Sequence, residues 1–545
     1  MKNIFNFYYT LKHLKPIQLF NRFIRLVFKV KPQKCPKILI ASPKAKWVSV
    51  ELSKSSYVEG DIFSFLNHQG EIGNWNDNQQ QKLWLYNLHY FDDLNAENSN
   101  SRQYFHSLLI ERWIANNPQL VGNGWEPYPL SLRIVNWIKW FLSGNPCKST
   151  WQESLWEQAA VLEQSLEYHL LGNHLLANAK ALVFAGIYFD DDAANRWLNK
   201  GLRILDRELK EQILDDGGNF ELSPMYHNII LTDILDLINL TRTYSHPMLK
   251  VRETAWKQTI YRMLTWMQKM THPNGDLAFF NDSAINIAPS AERIWNYADM
   301  LGISYKKKKE ENVTYLKNTG YIHLANGKQT SILDVARVGP DYIPGHAHAD
   351  TLSFEWNYEN QRVLVNSGTS VYGVSIERLR QRKTESHNTV VVDEEDSSEV
   401  WSGFRVARRA YPSKPIISEG NDSICVECSH DGYMRLRGKV THSRQWVMNN
   451  SGFYVTDKLL GKFNSAQAHY HFHPGMKLEH SNDKSGQVNL YSPDGAQFRI
   501  EAIGADIEIC DSTWHPEFGV SISNKKIVLN FKQPEIKFGI NIVNK

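Results

Sequence analysis

From about residue 80 to residue 305, apolar residues recur at intervals of three and four, the spacing that lines one face of an α-helix. The stretches LLGNHLLANAKALVFAGIYF, RWLNKGLRILDRELKEQIL and LTDILDLINLTRTY show it most clearly. Turn-forming breaks separate the runs at Gly144-Asn145-Pro146, Asp215-Asp216-Gly217-Gly218 and His272-Pro273-Asn274-Gly275. The pattern predicts roughly six to nine helices of ordinary length and almost no strand in this span. Next comes Tyr305-Lys306-Lys307-Lys308-Lys309-Glu310-Glu311, expected to be a solvated connector. Beyond it the period changes to two. TGYIHLANG, QTSILDVARVG, DTLSFEWNYENQRVLVNSG, HNTVVVDEE, SGFYVTDKLLG, QAHYHFHPG, KIVLNFK and KFGINIV are short, alternating and closed by turn residues. Strands with no helices between them assemble into antiparallel sheets. The expectation is an α+β multidomain chain: a basic N-terminal region over residues 1–50, a helical domain over 51–310 and an antiparallel β-sandwich over 311–545. No fixed-period repeat is visible.

A length of 545 residues, 63.1 kDa, fits two or more domains. With 42% hydrophobic and 22% charged residues, the chain is not mainly disordered, and 31 Gly with 20 Pro exclude a collagenous or low-complexity protein. The 17 Trp suit the apolar faces of sugar rings as well as a packed core. Five scattered cysteines imply no disulfide framework. Cys425 and Cys428 form a lone C-x-x-C in an alternating segment that turns the two thiols to opposite faces, so neither zinc nor redox chemistry is expected there.

Charge changes the picture at one end. The first 50 residues hold 11 Lys or Arg and no Asp or Glu, while the remainder is net acidic. Such an arm suits a membrane surface, an acidic polymer or an assembly partner; a plain alternative is a helix pair packed on the main body with its cations in water. Ile4, Phe7, Tyr8 and Leu11 fall at helical spacing, Pro16 interrupts, and residues 17–30 form a second apolar-basic stretch. No run of apolar residues is long enough for a transmembrane helix. The start, MKNIFNFYYTLKHLKPIQLF, is broken by Lys and lacks a small-residue cleavage site, unlike an ordinary secretory signal. The expectation is therefore the cytoplasm or the cytoplasmic membrane face, with the periplasm as alternative, and no nucleic-acid partner.

Candidate chemistry gathers in a few segments. In Gly172-Asn173-His174, Gly172 suits the C-cap of one helix and Asn173 the N-cap of the next; beside helix N–H groups, the amide and imidazole can hold a carboxylate. Asn219-Phe220-Glu221-Leu222-Ser223-Pro224-Met225-Tyr226-His227 lies at a loop-to-helix junction, and Tyr226 is a proton-transfer candidate if neighbouring cations or donors lower its pKa. The densest cluster is Pro344-Gly345-His346-Ala347-His348-Ala349-Asp350; read as an extended strand, it puts His346, His348 and Asp350 on one face. Downstream lie Asn366-Ser367-Gly368-Thr369, Tyr372, Arg380, Arg382 and His387, which could join His348 in a metal site. His469, His471 and His473 alternate on another strand, as metal ligands or as a row facing solvent. Glu126, Glu221 and Asp276 are loosely placed carboxylates for a glycoside hydrolase, and no pair stands out.

GNHLLANA, ELSPMYH, GHAHAD, NSGT with Tyr372, and RKTESHNTVVVD followed by SEVWSGFRVARRA occur in an order that resembles the heparinase II/III-like polysaccharide lyases. The resemblance spans roughly residues 80–480 and implies an incomplete (α/α) toroid followed by an antiparallel β-sandwich. It also implies β-elimination on an acidic, uronic-acid-containing polysaccharide, of the kind met in capsule or O-chain metabolism. Asn173 and His174 match the pair that neutralises the uronate carboxylate, Tyr226 the proton donor to the leaving oxygen, and His346 the base. Glu221, Tyr372 and Arg382 are expected to bind substrate. His348, residue 366 and His387 match a structural zinc site, but Asn366 stands where aspartate is common, and a neutral amide holds zinc more weakly. A uronate epimerase and a non-catalytic glycan-binding or assembly protein are the rival expectations. Convergence of Asn173, His174, Tyr226 and His346 in one cleft separates an enzyme from the latter.

Overall fold

The computed structural model describes residues 2–303, 311–481 and 487–543; the expected connector at 305–310 lies outside them. Helices α1 (Lys2–Leu11) and α2 (Pro16–Val27) open the chain, Pro16 sitting at the first position of α2, where its missing N–H is no loss. An antiparallel ribbon of three strands, Tyr57–Glu59, Ile62–Phe65 and His68–Glu71, precedes the main helical part.

That part comprises α3 (Lys82–Tyr90), α4 (Gln103–Asn116), α5 (Pro127–Leu142), α6 (Ser149–Gln164), α7 (Gly172–Tyr188), α8 (Asp192–Gln212), α9 (Pro224–Tyr244), α10 (Pro247–Lys269) and α11 (Ala291–Met300). The expected helical span and the near-absence of strands within it agree with the structure. α7 is buried on almost every side, against α5, α8 and α9. Its approach to α8 requires Gly186, because a Cβ there would lie 2.5 Å from the backbone nitrogen of Leu198. A continuous apolar core runs through these helices, with Trp113, Trp137, Trp140, Trp151 and Trp197 fully inside. Most of the tryptophans are thus core filler, not ligand surface.

Beyond residue 311 the chain is antiparallel sheet. Five strands, Val313–Leu316, Tyr321–Asn326, Gln329–Asp334, Phe354–Tyr358 and Gln361–Leu364, follow one another in sequence order. A bridge between Leu364 and Phe472 joins them to a four-stranded sheet containing Val390–Val392 and Ala466–His471. An eight-stranded sheet, with Glu535–Val543 in its interior, packs across both. Trp356 against Phe453 (5.7 Å between centroids) and Tyr470 against Phe538 (3.8 Å) mark the seam of this sandwich. One short α-helix, α12 (Ile376–Arg382), interrupts the strands, and its Arg378 reaches Asp282 ahead of α11. The strand Ser423–His430 alternates as expected, Cys428 turning inward and Cys425 to the other side.

Candidate active site

The toroid contributes two helix beginnings. Each follows a leucine in left-handed backbone: Leu171 (φ 66°) before α7 and Leu222 (φ 61°) just ahead of α9. Bulky residues rarely adopt this conformation, and strain of this kind gathers at functional sites. The expected caps need correction. α6 ends at Gln164, Leu171 is the residue before α7, and Gly172 and Asn173 already belong to its first turn. Asn173 therefore does not cap the helix. Its backbone N–H donates to Glu221 Oε1 at 3.4 Å, and no partner occupies its side-chain amide among the described residues.

His174 lies next along the same turn. Its Nδ1 is 3.2 Å from Glu167 Oε1, and its ring packs 4.4 Å from that of Tyr128. Glu167 is buried and fixed from behind by the Asn178 amide at 3.1 Å, whereas the His174 side chain keeps 30% exposure. Burial pulls the His174 pKa down, but the Glu167 carboxylate overcomes it and the imidazole titrates above its ordinary value. Burial likewise pushes Glu167 up, and His174 brings it below the usual carboxylate range. An imidazole that holds its proton more tightly than usual, next to an amide with no partner among the described residues, can receive a carboxylate.

Ser223 caps α9, its Oγ accepting from the Tyr226 N–H at 3.2 Å, and Pro224 occupies the first turn. The loop-to-helix junction expected around Tyr226 is thus present. Its phenol oxygen lies 3.0 Å from that of Tyr372, which arrives from the β-domain. Burial, then the Tyr372 phenol, push the Tyr226 pKa well above the tyrosine norm. The sequence-based condition of a lowered pKa is therefore not met; Tyr226 is a proton-bearing phenol.

His346 faces it from the other domain. The two rings stack at 3.9 Å between centroids and 14° between planes. His346 Nδ1 forms a short hydrogen bond with Glu221 Oε2 from the toroid, which leaves Nε2 open. Tyr372 lies parallel to His346 at 6.2 Å and is boxed by Phe404 and Phe518. Contacts therefore run from Asn173 through Glu221, His346 and Tyr226 to Tyr372, with His174 close enough to feel the Glu221 charge. The four residues expected to converge do so, at the boundary of toroid and sandwich.

Other expectations change. Residues 344–350 are loop, not strand, so His346, His348 and Asp350 share no face. Glu221 is 3% exposed and bonded to His346; it positions the imidazole and is not free to meet a sugar. Arg382 is fully buried, its guanidinium donating to the carbonyls of Ala347, Ser402 and Arg405 at 3.0–3.3 Å. It fixes the loop that bears His346 and cannot reach a glycan. His469 and His471 are buried, so they form no solvent-facing row. Glu126 bonds to Tyr86 and Lys82 while Asp276 lies in a turn with Asn274, so the loosely placed carboxylates do not pair as a hydrolase would require. Glu167, Tyr128, Asp282 and Arg378 escaped sequence reading.

The expected zinc residues do come together. The rings of His348 and His387 are 5.2 Å apart, and Asn366 Oδ1 lies 3.3 Å from His387 Nδ1. His348 Nδ1 and His387 Nε2 are buried and unpartnered among the described residues. Asn366 Oδ1, however, already accepts from Ser353 Oγ at 2.7 Å. The nearby Asp282 carboxylate is gripped by Arg378 and by His348 Nε2. Two imidazoles and a neutral, hydrogen-bonded amide do not fit a closed zinc site, which takes four strong ligands. Among the described residues no group of three or more His, Cys, Asp or Glu is arranged to hold a metal.

A toroid-and-sandwich fold with a histidine–tyrosine site at the domain boundary defines a class, and direct comparison agrees. The Heparinase II/III N-terminus profile matches residues 11–308 and the Heparinase II/III-like, C-terminal profile residues 308–542. The chain belongs to the heparinase II/III family. It is 24% identical over 413 residues to a heparin-sulfate lyase of Bacteroides stercoris, covering 70% of this chain and 58% of that protein. Identity to a heparin-sulfate lyase of Pedobacter heparinus is 26% over 368 residues, 63% of this chain and 52% of the relative. The chain thus spans between half and three-fifths of the length of these curated relatives. In fold it is similar to the crystal structure of a heparinase III, with a TM-score of 0.71 at 18% identity over 87% of this chain and 80% of that one. A heparan sulfate lyase mutant from Pedobacter heparinus gives 0.61 at 18% identity, over 89% and 82%.

Proposed function

We propose that this protein is a polysaccharide lyase that cleaves a uronic-acid-containing glycan by β-elimination. The observation that carries the reading is the His346–Tyr226–Tyr372 array, backed by Glu221 and adjoining Asn173 and His174. The names of the curated relatives support the same reaction class.

The hydrogen on the ring carbon beside a carboxylate is weakly acidic, because its removal adds charge next to an existing anion. The Asn173 amide and the His174 imidazolium receive that carboxylate and stabilise the enolate-like charge that develops. His346 has its Nδ1 held by Glu221, so Nε2 takes the ring proton. The carbon–hydrogen pair becomes the new ring double bond and the adjacent carbon–oxygen bond breaks. Tyr226, kept protonated by burial, gives its proton to the departing glycosidic oxygen, and Tyr372 hydrogen-bonds the phenolate left behind. Proton return from His346 to Tyr226 restores the site. The chain's own residues account for each step, and none is routed through a metal.

The substrate class is an acidic surface polysaccharide such as a capsule or O-chain. Incubation with a panel of acidic polysaccharides, including heparan-type chains, is expected to raise near-ultraviolet absorbance from an unsaturated uronate. Tyr226→Phe should lower that rate by about 10²–10⁴-fold with an unchanged circular-dichroism spectrum. Solvent deuterium entering the uronate of uncut chains would assign an epimerase instead.

A further inference from the structure

Helix α2 is built inside out. Its inward side carries Gln18, 2% exposed, whose amide donates to the carbonyls of Tyr342 (3.2 Å) and Leu170 (3.4 Å). On its outward side, at 100° per residue, Leu19, Phe20, Phe23, Leu26 and Val27 fall in a single arc, between 51% and 82% exposed. A helix on a water-soluble surface shows the opposite order. α1 repeats the arrangement: Asn6 is buried and Thr10 Oγ1 donates to the Val406 carbonyl at 3.2 Å, while Phe5 and Tyr8 are 59% and 63% exposed. Apolar side chains of this size, gathered on one face, mark an interaction surface.

The charge says what covers it. Arg22 and Arg25 flank the apolar arc, Lys29, Lys31 and Lys34 follow, and no acidic residue occurs before Glu51. Twelve residues of helix are too short to cross a bilayer, and no described helix is long and apolar enough to do so. A short helix with an apolar face and a cationic border lies in the plane of a membrane interface.

From these contacts we infer that α1 and α2 are a membrane-docking foot that seats the protein on an anionic lipid surface beside the candidate site. α2 is fixed at its start by the Lys15–Glu211 ion pair. At its other end Arg25 reaches the ring of His169, in the turn shared with Glu167 and two residues ahead of Leu171. Tyr342, its other anchor, lies four residues before His346. The foot therefore stands on the two segments that carry the site. A docked protein would hold its candidate site near the bilayer, where a membrane-attached or emerging glycan is presented.

The test is co-sedimentation of the full chain with vesicles of phosphatidylcholine alone or mixed with phosphatidylglycerol. The expected result is binding to the anionic vesicles, weakened at high salt, with little binding to neutral ones. Phe20→Ser, Phe23→Ser and Leu26→Ser combined should reduce the bound fraction at least about tenfold. Cleavage of a soluble polysaccharide should be unchanged, because none of the three touches the site. Wild-type protein left in the supernatant, or the triple variant binding as well as wild type, would overturn the proposal. So would self-association in sedimentation-velocity runs that the triple substitution abolishes, since the face would then join two copies. Vesicle binding and soluble-substrate cleavage are read separately, so the failure of one leaves the other reading standing.

Discussion

His346 and His348 stand two residues apart in one loop, each against a carboxylate, yet they do different work. His346 belongs to the domain boundary. Glu221 holds one of its nitrogens, a tyrosine ring covers one face, and the other nitrogen is open. His348 belongs to the interior. Its carboxylate, Asp282, also receives both terminal nitrogens of Arg378, so the charge is consumed within the fold. Burial alone would raise Asp282, but Arg378 holds it far below the usual carboxylate range. A carboxylate–histidine pair is thus chemically available only where no third charged group completes it. The same contrast separates His174, which faces carboxylates with no arginine among them and titrates high, from the crowded interior pair.

Substitutions should separate the two histidines. The largest effect is expected from His346→Gln, which should cost about 10²–10⁴ in kcat/KM with no shift in the melting temperature. Asp282→Asn should act the other way round: it leaves the Arg378 guanidinium buried without its partner and should destabilise the fold by about 3–5 kcal/mol, read by denaturant unfolding. A milder probe is Glu167→Gln. Because Glu167 raises the His174 pKa, the cationic form that the proposed mechanism sets against the substrate carboxylate persists to higher pH in the wild type. The alkaline limb of kcat/KM should begin above about pH 6.5 and move to lower pH in the variant. The linked stability has the same sign: the His174 contribution is fully present below its unfolded pKa and fades as pH rises through the raised folded value. The smallest expected effect is that of metal removal. Elemental analysis should find zinc well below one per chain, and chelation should leave both the melting temperature and the rate unchanged.

Local pattern made much of this molecule readable. The period of three and four marked the helices, the period of two marked the strands, and the segment before Tyr226 was legible as a loop-to-helix junction. Roles fixed by distant partners were hidden. Arg382 looks like a substrate clamp until three backbone carbonyls close around it. Glu221 looks equally free until His346, 125 residues away, takes its carboxylate. Glu167 carries no local signal, since its value lies in facing His174 across the turn before α7. The GHAHAD loop misled for a different reason. Alternation on paper assumes an extended backbone, whereas here a loop gives His346 and His348 separate partners, Tyr226 with Glu221 for the first and Asp282 for the second.

Glu221 and Tyr226 come from the toroid, while His346 and Tyr372 come from the sandwich. Neither half alone holds the stacked His346–Tyr226 pair. Any rocking of the sandwich away from the helices would uncouple the two without unfolding either one. On the proposed mechanism the two halves must therefore be in contact before a sugar can lose its ring proton and its leaving oxygen can gain one.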